Sequence, residues 1–315
     1  MIQRGVKQGC VISPTLFNIF INDLPTQFNE SCDPVFLNEK IFNCLLYADD
    51  LILISETESG LQNCLNILSD YCKNWKMNIN IKKTKVMIFN KTGNLINRNF
   101  FFDGIKLDIV KTYLYLGIQM SLTGSFDGAL KLLCDKANKA LARIKRIFLL
   151  RDTNIKLYLS LFEKVIQPIL LYASDIWGAY TVIPSKILVQ DNISGYFKIE
   201  LEKLYTKFLK YCLGVHSKAC NIAVFGELGK TPLSLRILSS VCKNWFRIVN
   251  MEQNSLLFNA YKCNVDLSQA NQSTWLNSVK DTFNLLGLQE LWDNQDDFFQ
   301  EFPSNLFRNK TENKF

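Results

Sequence analysis

Residues 45–54 read LLYADDLILI, so two adjacent carboxylates, Asp49 and Asp50, interrupt one of the most apolar stretches of the chain. Two chemistries suit such a pair. Asp is a favoured turn residue, and the apolar runs on either side have the length of short strands, which makes the pair the turn of a hairpin. Carboxylates also offer hard oxygen ligands, and one or two of them together with substrate phosphates hold Mg²⁺. In this second reading the strands anchor and the turn displays the charges. The pair by itself leaves both open.

The surrounding elements must position these residues. Residues 13–24, SPTLFNIFINDL, predict a helix with Ser13 as cap and Pro14 in the first turn, its apolar face made by Leu16, Phe17, Ile19, Phe20 and Leu24. Residues 25–40 carry Pro25 and Pro34 and read as a loop. An amphipathic helix is expected over 57–76, a strand over 85–90, and a hairpin with Asp103 and Gly104 at its turn. YLYLGIQM reads as one more strand, broken at Gly117. After residue 121 helical periodicity takes over. Helices are expected over 128–150, over 153–173 with an interruption at Pro168, over 200–213 and over 232–250. The fold class is therefore α+β in the front third and all-helical beyond it.

Composition narrows the function classes. The chain has 315 residues, 48% of them hydrophobic, which suits a packed core and not a disordered chain. No apolar run reaches the roughly 18 residues of a membrane helix, so no membrane partner is expected. The first ten residues, MIQRGVKQGC, lack the apolar segment of a secretory signal. Ten cysteines occur without a C-x-x-C spacing, beside a single His216. That argues against a zinc site and for buried free thiols in a reducing, intracellular compartment, nucleus and cytoplasm being equally compatible. The net charge of +7 is unevenly placed: residues 73–151 carry 16 Lys/Arg against 4 Asp/Glu, and the remainder 20 against 25. A basic middle of this kind is either a solvated face or a surface for a polyanion.

Four blocks in order, RGVKQGCVISPTLFNIFINDL, YADD, LQNCLNILSDYCKNWKMNINIKKTKVMIF and YLYLGI, resemble the reverse transcriptases of non-LTR, LINE-like retrotransposons. The resemblance continues more loosely through ILLYASDIWG and LEKLYTKFLKYCLGV, covering residues 4–240. It implies an RNA-directed DNA polymerase that uses two Mg²⁺ ions, an RNA template, a DNA primer and deoxynucleoside triphosphates. Asp49 and Asp50 match the metal-binding turn, and Lys83 the lysine near the nucleotide phosphates. Gln8 and Gly9, with Tyr47, match the elements against nucleotide and template, where a glycine lets backbone approach closely. Tyr115, Leu116 and Gly117 resemble the primer grip. The helix over 128–150 looks like a thumb, with Lys131, Lys136, Lys139, Arg143, Lys145 and Arg146 along the nucleic-acid backbone. Its apolar stripe is Leu132, Leu133, Ala137, Ala140, Leu141, Ile144 and Phe148.

The resemblance implies a partial right-hand palm of antiparallel strands and helices over 1–120. A helical thumb over 121–180, a loop or insertion over 181–199 and a helical region over 200–315 follow. It also demands a further aspartate on a strand before the glycine loop, and fingers that hold the triphosphate. With Gly9 so close to Met1, both are expected to be missing and the metal site incomplete. The chain alone is then expected not to polymerise DNA, with nucleic-acid binding through the basic helix as the alternative role.

Overall fold

The computed structural model describes residues 9–38, 40–147, 154–182 and 197–293. The chain divides into two units, residues 1–111 and 112–315.

The first unit is built on one long helix. Helices α1 (Ser13–Ile21) and α2 (Leu24–Gln27) lead into hairpin β1–β2 (Val35–Leu37, Lys40–Phe42) and hairpin β3–β4 (Cys44–Tyr47, Asp50–Leu53). Then come α3 (Glu58–Trp75), strand β5 (Lys85–Val86), hairpin β6–β7 (Phe101–Phe102, Ile105–Lys106) and β8 (Asp108–Ile109). The expected helix over 13–24 breaks at Asn22 and Asp23, because Pro25 cannot supply the N–H that a continuous helix needs there. The expected loop over 25–40 holds α2 and β1. Helix α3 starts at Thr57, whose side chain accepts from Gly60 N, and ends where Lys76 turns left-handed. Its face of Leu65, Leu68, Tyr71 and Cys72 packs with Leu24, Val86, Phe100, Phe102 and Leu107 into the core of this unit.

Among the described residues the strands are antiparallel in four of five pairs. The exception is β5 with β8, which run parallel and are pinned by an ion pair of 2.6 Å between Lys85 and Asp108. Strand β5 covers only two residues of the expected 85–90. The turn between β6 and β7 has both Asp103 and Gly104 at positive φ, which is the geometry that an Asp-Gly pair favours.

The second unit begins with hairpin β9–β10 (Thr112–Tyr115, Ile118–Ser121), after which every element among the described residues is helical. YLYLGIQM is thus two strands, not one broken strand: Leu116 and Gly117 form a tight turn between them. There follow α4 (Asp127–Ile147), α5 (Ile155–Leu161), α6 (Gln167–Leu170), α7 (Ser174–Thr181), α8 (Glu200–Leu213), α9 (Asn221–Glu227) and α10 (Leu233–Val249). Helices α11 (Leu256–Gln269), α12 (Trp275–Leu286) and α13 (Gln289–Asp293) are the last among the described residues. Between α5 and α6, residues Phe162–Ile166 form a π-turn just before Pro168, which relieves the clash and the missing donor that proline brings to a helix. Most of the expected loop over 181–199 and the end of the basic helix, Phe148 included, lie outside the described residues.

Trp177, Tyr158, Phe162, Phe208 and Phe283 are fully buried at the centre of this unit. Phe162 stacks on Tyr205 and Phe208 with centroids 4.8 and 4.5 Å apart. Helices α7 and α10 meet at Gly178, where an added Cβ would overlap Ile237 Cγ2 and stand 3.2 Å from Val241 Cγ2. Gly178→Ala is therefore expected to lower stability by about 1–3 kcal/mol through overpacking. Ile237→Ala should open space for it, so that in urea melts the double variant loses less than the two single losses added together. Strict additivity would show that the contact does not carry the effect.

Candidate active site

Asp49 and Asp50 sit at the tip of β3–β4. The register pairs Tyr47 with Asp50 and leaves Ala48 and Asp49 as the turn, with Ala48 left-handed at φ 51°. An alanine in that conformation is strained, and the ladder below it must impose the shape. The strands are held firmly. Leu46, Leu51 and Leu53 pack on the core of the first unit. Below them, the buried Asn43 donates to the Cys32 carbonyl at 3.3 Å, and Ser55 Oγ donates to the same carbonyl at 2.7 Å. Above this anchor Tyr47, Ala48, Asp49 and Asp50 are all exposed. Half-buried strands end in two solvent-facing carboxylates.

The other sequence-predicted residues of this unit stand on separate elements. Gly9 is left-handed, φ 80°, with open space where a Cβ would be, and a short turn separates it from α1, which Pro14 helps to open. Ser13 is the first helical residue and not the cap; Ile12 takes that position without a side-chain bond. Gln8 lies outside the described residues. Lys83 is in the turn before β5, where its backbone N–H bonds Asn80 O at 3.0 Å and its side chain is exposed. Among the described residues no group of three or more His, Cys, Asp or Glu is placed to hold a metal ion. No disulfide joins any of the ten cysteines, and six of them are buried. No helix among the described residues is long and apolar enough to cross a membrane.

The second unit carries the other predicted residues. The Leu116–Gly117 turn has both residues left-handed, at φ 45° and 83°. Tyr172 Oη donates to Leu116 O at 2.7 Å. No sequence motif marks Tyr172 for this, although ILLYASDIWG contains it. In α4, Leu133, Cys134, Ala137 and Leu141 are buried, while Lys131, Lys136, Lys139, Arg143 and Arg146 are exposed. Lys139, Arg143 and Arg146 follow one another at i, i+4 and i+7 and so share a face. Asp127 in the first turn and Lys145 and Arg146 in the last suit the helix dipole. Lys145 differs from its neighbours. It is half-buried, its ammonium lies 3.8 Å from the centre of the Tyr211 ring, and its pKa is lowered by burial and by Lys207.

Residues 1–120 match the family model described as reverse transcriptase (RNA-dependent DNA polymerase). That part of the chain is similar to the reverse transcriptases. The chain also has curated relatives. The probable RNA-directed DNA polymerase from transposon BS of Drosophila melanogaster is 28% identical over 188 residues, which is 56% of this chain and 20% of that protein. The RNA-directed DNA polymerase from mobile element jockey of the same species is 26% identical over 186 residues, again 56% and 20%. The Pol polyprotein from type-1 retrotransposable element R2 of Popillia japonica is 33% identical over 132 residues, 39% of this chain and 22% of that protein. The chain thus spans about a fifth of the length of the curated relatives it matches. These relatives carry the same affiliation, non-LTR retrotransposon polymerases, as the motif blocks. No solved structure matches the chain.

Proposed function

We propose that this chain is a palm-and-thumb segment of a non-LTR retrotransposon polymerase that copies RNA into DNA. The observation that carries the reading is the β3–β4 tip: two exposed carboxylates on a turn whose strands are tied into the core. Asp49 and Asp50 suit Mg²⁺, because hard oxygen donors on a rigid turn are what this ion takes, the rest of its shell coming from phosphates and water. A divalent cation bound there supplies Lewis acidity toward a phosphoryl oxygen. The chain's own residues do the rest by placement. The strands fix the carboxylates, the glycine at position 9 lets backbone approach a base or sugar, and the Lys83 ammonium pairs with a phosphate. The turn of Tyr115, Leu116 and Gly117 orients the primer end through backbone.

Equilibrium binding of a deoxynucleoside triphosphate tests the reading. Binding is expected to require Mg²⁺; cation-independent binding, or none at saturating nucleotide, overturns it.

A second reading, nucleic-acid binding without catalysis, rests on α4 alone, whose cations lie in the unit that does not hold the aspartates. Both readings have Lys139, Arg143 and Arg146 following phosphates, contacts that add affinity without sequence preference. Changing the three to Ala is expected to reduce the slope of log affinity against log salt by about 2–3, near one per lost phosphate contact. An unchanged slope with an RNA–DNA duplex removes α4 from the binding surface.

A further inference from the structure

The turn between β9 and β10 is held from a distant part of the sequence. A two-residue turn with Leu116 at φ 45° places a branched side chain in the left-handed region, which costs roughly 1 kcal/mol and needs outside support. Tyr172 supplies it twice. Its hydroxyl donates to the Leu116 carbonyl at 2.7 Å, and its ring closes on Gly117 so tightly that a Cβ there would stand 3.1 Å from Cε1. Tyr172 is itself fixed. Its carbonyl accepts from Nε1 of the fully buried Trp177 at 2.8 Å, and the next residue, Ala173, is left-handed at φ 52° and begins α7. The chain Trp177, Tyr172, Leu116 therefore runs from the centre of the second unit's core to a surface turn. Tyr172 is nevertheless 48% exposed, so its ring borders the turn at the surface and is not simply core filling.

We propose that Tyr172 is a positioning residue for the primer-binding turn. This rests on the reading of Tyr115, Leu116 and Gly117 as a primer grip. A grip that works through backbone has no rotamer to adjust, so its accuracy equals that of the turn. The hydroxyl fixes the Leu116–Gly117 peptide plane by holding its carbonyl, and the ring sets how close the turn lies to the start of α7. Removing the hydroxyl leaves the hairpin ladder paired and lets the peptide plane at its end rotate.

The test compares two RNA–DNA duplexes of equal length, one with a recessed DNA 3′ end carrying 2-aminopurine and one blunt. Three proteins are measured: the chain as it stands, Tyr172→Phe and Gly117→Ala. The unaltered chain is expected to prefer the recessed end. Tyr172→Phe keeps the ring and loses one hydrogen bond, and should lower that preference roughly fivefold, the equivalent of about 1 kcal/mol. Blunt-duplex affinity should barely move, and the thermal midpoint should fall by no more than about 4 °C. Gly117→Ala, which alters the turn directly, should lose the preference as well. If Gly117→Ala loses it while Tyr172→Phe keeps it, the positioning role is overturned and the primer grip stands. Equal loss on both duplexes in Tyr172→Phe reduces the residue to a structural one and also overturns the role. If the unaltered chain has no preference, or Gly117→Ala retains it, the primer-grip reading falls and takes the inference with it.

Discussion

Replacing Asp49 and Asp50 together by Asn is expected to abolish divalent-cation binding at the β3–β4 tip and leave the fold intact. Mn²⁺ is the useful probe, because it takes the same oxygen donors as Mg²⁺ and broadens nearby nuclear resonances. In the unaltered chain the broadening should centre on Tyr47, Ala48, Asp49 and Asp50. In the double variant it should vanish at Mn²⁺ concentrations about tenfold above those that saturate the original. Each lost carboxylate removes both charge and a ligand, and tenfold corresponds to only about 1.4 kcal/mol. Stability should change by no more than about 0.5 kcal/mol, because both side chains are exposed. The sign should favour the variant slightly, as two adjacent like charges repel. In any assay where the chain supports primer extension, the same variant should lower the rate by at least about 10²-fold, the scale on which a charge-stabilising group acts. Broadening that centres elsewhere, or survives the double change, would leave the aspartates as ordinary turn residues.

The β3–β4 hairpin is legible in the sequence because two local signals agree there: apolar runs of strand length, and residues that favour a turn between them. The Asp103 and Gly104 turn is legible for the same reason, since Asp-Gly is a strong marker of positive φ at both positions. The Leu116 and Gly117 turn is not. Leucine does not signal a left-handed residue, so the stretch reads as a strand with a kink. The turn that the β9–β10 register closes there is also bonded by Tyr172, 56 residues away, and no local pattern encodes such a contact. Helix α4 shows the same limit from another side. Its period separates the buried Leu133, Ala137 and Leu141 from the exposed Lys139 and Arg143 correctly. It cannot tell that Lys145 lies over Tyr211. Periodicity gives the face of a helix and says nothing of what packs opposite. The break of α1 from α2 is written in Pro25, and Leu24 masks it by continuing the apolar pattern.

The second large effect concerns Glu202, which in the sequence is one more charge on an amphipathic helix. It is fully buried in α8, against the start of α10. Its Oε1 accepts from Ser234 N at 2.5 Å and Ser234 Oγ at 2.7 Å, while its Oε2 is buried without a partner among the described residues. Burial raises its pKa to about 7, outweighing the bonds from Ser234 and Leu233, which pull the other way. A carboxyl raised in the folded state binds its proton more tightly there than in the unfolded chain, where 4.5 is the ordinary value. Its contribution is then fully present below about pH 4.5, falls as pH rises, and is gone above about pH 7. The whole effect amounts to about 3 kcal/mol, because each tenfold difference in proton affinity between the folded and unfolded chain is worth about 1.4 kcal/mol. Glu202→Gln keeps the acceptor for Ser234 and cannot ionise. Urea melts followed by tryptophan fluorescence should show the original losing stability from about pH 4.5 to about pH 7 relative to the variant. The variant should be the more stable of the two at the alkaline end of that range and gain nothing at the acid end. Parallel pH curves for the two proteins would mean that Glu202 finds a partner for its second oxygen and stays ionised in the folded core.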